Sequence, residues 1–206
     1  MRTLTLRKAI RILANNSFSF EELNKIASFA GRIRYCQATL PRIASGSARI
    51  IYELGNDKVL KLARNAKGLA QNLNEADHFI QQHYGDIIAK VTDYHQDDWW
   101  IVMERAKKVT KGSFKRLLGY SLDDFYDTLL WYWNTRQGKK TWSSPPENKD
   151  EIMETEFFNE LIDLMANMAI EPGDFSRPSS YGEIDGRLVI TDYGLTKDTF
   201  DTYYKR

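Results

Sequence analysis

Between residues 42 and 103 the chain sets strand-forming runs and one helix in an order that few folds accommodate. Residues 42–44, 49–54 and 58–63 are short and rich in Ile, Val and Leu, with Gly46 in the first connection and Gly55-Asn56-Asp57 in the second. They predict a three-stranded antiparallel meander. Residues 66–84, with Leu69, Leu73, Ala76 and Ile80 in phase, predict one helix. Two further strands, 87–94 and 99–103, are joined by Gln96-Asp97-Asp98. Five strands with a helix after the third therefore fall within residues 41–106.

The flanks are helical. Leu4, Leu6, Ile10, Ile12 and Leu13 suggest an amphipathic first helix. Ser17 or Ser19 ahead of Glu21-Glu22 caps a second, whose apolar face is Leu23, Ile26, Ala27 and Phe29-Ala30 and which Gly31 can end. Residues 113–136 and 150–169 are apolar-periodic, and Gly138, Ser143-Ser144 and Pro145-Pro146 mark 137–148 as an exposed loop. Residues 187–191 return to strand and pair with 181–184 across Asp185-Gly186. The expected organisation is a helical N-terminal extension (1–40), a strand lobe (41–106) and a helical lobe (107–206).

A chain of 206 residues that is 42% hydrophobic can bury a sizeable core. Its 29 Lys and Arg against 28 Asp and Glu give a net charge of +1, which argues against nucleic acid or a membrane as partner. The cluster Arg2, Arg7, Lys8 and Arg11 reads as a solvated helix face. The single Cys36 excludes an internal disulfide and a multi-cysteine zinc site, which fits a reducing compartment. No apolar run approaches the roughly 20 residues of a membrane span, and the cationic N-terminus is unlike a signal peptide. A cytoplasmic location is expected.

A few residues carry chemistry. Lys61 lies among Val59, Leu60, Leu62 and Ala63, and must either snorkel to water at a sheet edge or find a partner. Strand alternation puts it on one face with Val59 and Ala63, and Glu75 on the following helix can supply the partner. Asp192-Tyr193-Gly194, directly behind residues 188–190, either makes a plain turn or aims a carboxylate from a strand end, where it could hold Mg²⁺ on a nucleoside triphosphate. Ala44-Ser45-Gly46-Ser47 is either a simple hairpin turn or a loop whose N–H groups can approach phosphates. Asp174 follows Gly173 in a Pro-rich loop as a turn residue or a functional one, and Arg177 is a phosphate clamp or a surface arginine. The stretch Phe125, Tyr126, Trp131, Tyr132 and Trp133 is a core face or a pocket wall.

Taken in order, these residues resemble the parts of the protein-kinase-like superfamily over residues 41–195. The likeness is to its small atypical members, including short kinase-like proteins of bacteria and tailed phages. It implies an α+β, two-lobed fold with a five-stranded antiparallel N-lobe sheet, one helix and a reduced, truncated helical C-lobe, and ATP with Mg²⁺ as cofactors. By resemblance, Ser45, Gly46 and Ser47 form the glycine-rich loop, Lys61 and Glu75 hold phosphates, and Glu104 and Ala106 belong to a hinge that pairs with adenine. Asp174 would be the catalytic base, acting with Lys61, and Asp192 with Ser179 the metal ligands. The eighteen residues from Asp174 to Asp192 match the family's spacing between these two aspartates.

The departures bear on activity. Pro172-Gly173-Asp174 stands where the family has H-R-D, and Ser179, a poorer Mg²⁺ ligand, stands at its second metal-binding Asn. Ser180 or Glu183 could substitute in a different loop register. The twelve residues after Gly194 leave little room for peptide-docking helices. The expected function is ATP-dependent phosphoryl transfer to an unidentified protein or small-molecule substrate, in the host cytoplasm if the chain is phage-encoded. The alternatives are a pseudokinase acting as a nucleotide-binding or partner-binding regulatory module, and AMP transfer through much the same groups.

Overall fold

The computed structural model describes residues 17–140 and 144–205. The first expected helix, on Leu4, Leu6, Ile10, Ile12 and Leu13, and its basic cluster lie outside them. Two short helices open the described chain, α1 (Phe20–Asn24) and α2 (Phe29–Thr39). Gly31 does not end a helix over the preceding apolar face. The chain breaks at Lys25, and Ser28 caps a new helix by accepting from the Gly31 N–H at 3.1 Å. Gly31 sits in that first turn because a Cβ there would lie 2.6 Å from Ile26 Cγ2.

Strands β1 (Arg42–Ser45), β2 (Arg49–Gly55) and β3 (Lys58–Ala63) form the meander, and β4 (Val91–Tyr94) and β5 (Trp100–Glu104) complete a five-stranded antiparallel sheet in the order β1-β2-β3-β5-β4. Pairing sets Arg49 opposite Ala63, Ile51 opposite Lys61, and Lys61 opposite Ile101. Because side chains alternate across a strand, Ile50, Tyr52, Leu60, Leu62, Trp100 and Val102 share the outer face, where they pack with Leu23 and Cys36 of α1 and α2. Trp100 Nε1 donates to Asn24 Oδ1 at 2.9 Å. The described N-terminal helices thus cover the back of the sheet.

The helix expected over 66–84 is two, α3 (Ala66–Glu75) and α4 (His78–His83), because Asp77 turns the chain and caps Ile80 N at 3.1 Å. Of the expected face, Ile80 is buried and Ala76 packs against the core, but the rest of the buried face differs. Leu73 is 57% exposed, while Gln71, Asn72 and Glu75 are buried. An amphipathicity argument misses this, since α3 turns polar groups toward polar groups of the sheet. The strand expected over 87–94 keeps only its second half, and Ile88 instead makes an isolated parallel bridge to Ile190.

Beyond a two-residue strand β6 (Lys107–Lys108) come α5 (Lys111–Leu118), α6 (Leu122–Arg136), α7 (Lys149–Met153) and α8 (Glu156–Met168). Each of the two long expected helices is therefore split. Gly119 in the left-handed region (φ 90°) ends α5 before Ser121 caps α6, and Thr155 caps α8 through Phe158 N at 3.3 Å. Phe125 and Trp133 are buried in the core of this lobe, the core reading of that aromatic run. The hairpin β7 (Tyr181–Ile184) and β8 (Arg187–Ile190) turns at Asp185-Gly186 and pairs with β6, a strand too short and too charged to be read from sequence. A last helix, α9 (Lys197–Tyr203), was likewise not expected; it packs on α3. No described helix is long and apolar enough to cross a membrane.

Candidate functional site

Alternation along β3 sends Lys61 to the inner face with Val59, and its neighbours leave no path to water: it is 3% exposed. A buried ammonium requires a partner. Lys61 Nζ lies 2.7 Å from Glu75 Oε2 at the end of α3 and 2.6 Å from the Thr191 carbonyl. The other carboxylate oxygen of Glu75 takes Arg49 Nη2 at 2.8 Å and accepts the N–H groups of Tyr193 and Gly194 at 3.3 and 3.2 Å. Arg49 Nη2 in turn reaches Asp192 Oδ1 at 2.6 Å, and Arg49 Nη1 reaches Asn72 Oδ1 at 3.4 Å.

Glu75 is fully buried and collects two cations and two backbone donors. Burial alone would push its carboxyl up; Arg49 and then Lys61 outweigh that and hold it at about 2. Burial lowers the Lys61 ammonium, against the pull of Glu75. It also works against the Arg49 guanidinium, which Glu75 and Asp192 keep charged. Gly194 is needed for this closeness. A Cβ there would lie 2.5 Å from the Gln71 carbonyl oxygen of α3.

The second half of the site is a polar cleft of about 150 Å³ lined by Gly173, Asp174, Arg177, Ser179, Ser180 and Asp192. Two 3₁₀ turns, Pro172–Ser176 and Pro178–Ser180, carry Gly173, Asp174, Ser179 and Ser180, and Arg177 joins them. The loop is held by the Ser180 hydroxyl on the Asp174 carbonyl and by Tyr181 Oη donating to the Phe175 carbonyl at 2.9 Å. Thr191 N donates to the Ser180 carbonyl at 2.9 Å, which brings the end of β8, and so Asp192, beside the loop. Burial first, and then the Asp192 charge, push the Asp174 carboxyl up to about 6 against the opposing pull of Arg177.

The structure therefore brings Lys61, Glu75 and Asp192 into one ion-paired cluster and Asp174, Ser179 and Asp192 into one cleft. Ser45, Gly46 and Ser47 are exposed in the β1–β2 turn, which is tied to the end of β3 by Arg64 Nη1 on the Gly46 carbonyl (2.6 Å) and Asn65 Nδ2 on the Ser47 carbonyl (3.0 Å). Glu104 ends β5, its carboxylate accepting Lys90 N at 2.9 Å, and Ala106 packs against Gly182 at the junction of the two sheets. Glu183 pairs with Arg116 at 2.6 Å, and Ser180, not Glu183, lines the cleft. Arg49 was missed by sequence reading. The available signal was its register: two residues from Ile51 on β2, it shares the inner face with Lys61.

Sheet order, the helix after β3, the Lys61–Glu75 pair and the paired aspartates beyond a helical lobe define a two-lobed α+β fold of protein-kinase-like type. No protein-family model matches the chain, and no curated protein matches its sequence. Among solved structures it is similar to SAICAR synthase from Saccharomyces cerevisiae in complex with SAICAR, with 13% identity over 77% of this chain and 74% of that one and a TM-score of 0.39. It is also similar to the GDP complex of aminoglycoside 2'-phosphotransferase-IIIa, with 15% identity over 76% of this chain and 66% of that one and a TM-score of 0.36.

Proposed function

We propose that the protein is an ATP-dependent phosphotransferase. The observation that carries this reading is the fully buried Lys61–Glu75 pair at 2.7 Å, set beside a cleft that Asp174 and Asp192 line. Such chemistry asks the protein for positioning and charge neutralisation more than for covalent steps. Lys61, oriented by Glu75, would hold phosphate oxygens. Asp174 would orient the attacking hydroxyl and take its proton; a carboxylate at about 6 is largely ionised at neutral pH and still basic enough to accept one. Arg177, exposed at the cleft, offers a planar pair of donors to an anionic substrate group.

Mg²⁺ commonly takes one or two carboxylates and fills its shell with phosphate oxygens and water. Asp192 has one oxygen on Arg49 and its side chain is 64% exposed, so the other oxygen suits such an ion, with Ser179 in the same cleft. The ion would neutralise phosphate charge there. Among the described residues no group of three or more His, Cys, Asp or Glu gathers to hold a metal without phosphates. The Arg49–Asp192 ion pair favours a second reading, a pseudokinase that binds nucleotide as a regulatory module, because it engages the metal-type aspartate in the protein's own cluster.

The test is calorimetric titration of Mg²⁺ and ATP into the purified chain, followed by an assay for release or transfer of the γ-phosphate. The expected result is binding by the parent and loss of all nucleotide-dependent chemistry in Lys61→Met, which keeps the methylene stem and loses the charge. Binding without any turnover would establish the regulatory reading, and turnover that attaches AMP to an acceptor and releases pyrophosphate would mark nucleotidyl transfer.

A further inference from the structure

Outside the expected kinase-type set, one side chain stands at the centre of the site. Arg49 is 7% exposed and bridges the two carboxylates on which a phosphate site of this kind depends, Glu75 at 2.8 Å and Asp192 at 2.6 Å. Removing a guanidinium from water is costly, and the cost is met only where its partners are charged and close. Arg49 meets that condition: Nη2 points both its protons at carboxylates, and Asn72 takes one from Nη1.

The charge count shows what this does for a ligand. Glu75 and Asp192 contribute two negative charges, and Lys61 alone would leave the cluster at −1, a surface that repels a polyphosphate. With Arg49 the four groups sum to zero. In a site without such an arginine, a divalent ion on the strand-end aspartate must cancel that charge before phosphates approach. Here a side chain of β2, one alternation from the residue opposite Lys61, already does so.

We propose that Arg49 is the built-in counter-cation of Asp192, so that this chain binds the phosphates of a nucleoside triphosphate without Mg²⁺. The inference rests on the nucleotide reading of the site given above and adds to it a residue and a metal requirement. Binding and transfer then separate. The ion is dispensable for holding the nucleotide and is used only for chemistry.

The experiment measures the dissociation constant for ATP by calorimetry in excess EDTA and in excess Mg²⁺, for the parent, Arg49→Gln and Arg49→Lys, with melting curves to verify folding. The parent should bind in EDTA within about 10-fold of its affinity in Mg²⁺. Arg49→Gln should lose roughly 10- to 100-fold in EDTA, the range of one charge-assisted contact, and regain most of it with Mg²⁺. Arg49→Lys should keep most of its EDTA binding. A folded parent that binds ATP only with Mg²⁺ overturns the proposal and leaves the nucleotide reading standing, and this arm decides the matter even where Arg49→Gln does not fold. Equal EDTA affinity for parent and folded Arg49→Gln also overturns it. A folded parent that binds ATP in neither buffer overturns both.

Discussion

Replacing Glu75 by Gln tests the centre of the site, and its cost can be worked from two directions. Glu75 is fully buried, and its carboxyl is held from an ordinary 4.5 down to about 2. At about 1.4 kcal/mol for each tenfold change in proton affinity, this corresponds to about 3 kcal/mol of folding stability. Considered instead as a deletion, the change leaves Lys61 and Arg49 buried with one carboxylate fewer, and breaking a buried pair costs about 3–5 kcal/mol. Gln still offers an acceptor to the N–H groups of Tyr193 and Gly194, so the lower end applies. Near neutral pH the variant should be about 3 kcal/mol less stable by urea denaturation and melt about 6–12 °C lower. A depressed carboxyl contributes its stability above its unfolded value and loses it as pH falls from 4.5 toward about 2. The gap between parent and variant should therefore narrow by about half near pH 3. A gap under about 1 kcal/mol at neutral pH, or one that does not change with acidification, would refute the account of Glu75 as the anionic centre of the cluster.

Asp174→Asn should leave ATP affinity unchanged and slow turnover by roughly 10²- to 10⁴-fold, as measured by steady-state kinetics. The parent's rate should fall as pH drops below about 6, where Asp174 takes up its proton. Because that carboxyl is raised, its contribution to stability is present at low pH and lost as pH rises through about 6, so Asp174→Asn should melt no lower than the parent at neutral pH. Gly194→Ala should cost about 1–3 kcal/mol by urea denaturation, because its Cβ meets the Gln71 carbonyl at 2.5 Å and backbone must move. Gly173→Ala, whose Cβ would meet nothing within 4 Å, is the control and should stay within about 0.5 kcal/mol.

What could be read from the sequence depended on whether local signals or distant partners decide the outcome. The meander was legible because period-2 alternation and the turn at Gly55-Asn56-Asp57 are local, and the same alternation placed Lys61 on the inner face. The breaks at Asp77, Gly119 and Thr155 are also local, but each lies inside a run whose apolar periodicity continues past it, so periodicity alone merged the helices. The polar face of α3 was not legible. Gln71, Asn72 and Glu75 are buried because Lys61, Arg49, the β4–β5 turn and the Tyr193-Gly194 backbone meet them, and only the folded chain brings those groups together. Arg49 was missed for the same reason. An arginine at the start of an apolar strand reads as an edge residue until the strand's register is known. Lys107–Lys108 of β6 has no strand signature and pairs only because β7 lies beside it.

The held position of α3 follows from these same contacts. In a kinase-type site the glutamate-bearing helix must be in place for its lysine pair to form, and control of such enzymes often works through that helix. Here three separate elements fix it. Glu75 is bound from the sheet by Lys61 and Arg49, and Asn72 Nδ2 donates to the Asp98 carbonyl of the β4–β5 turn at 2.9 Å. The third is the segment after Gly194, which turns back onto α3. Asn74 Nδ2 donates to the Gly194 carbonyl at 2.8 Å and to Thr199 Oγ1 at 3.0 Å, while Gln71 Nε2 reaches Tyr204 Oη at 3.2 Å. Since Gly194 also lets its own backbone approach Gln71, the stretch that carries Asp192 and the helix that carries Glu75 are joined on both sides of the ion pair. Displacing α3 would strip partners from two buried cations and several amides at once. The Lys61–Glu75 pair is therefore held from three sides, whereas the cleft is more open at its other end, where Asp192 and Arg177 are exposed.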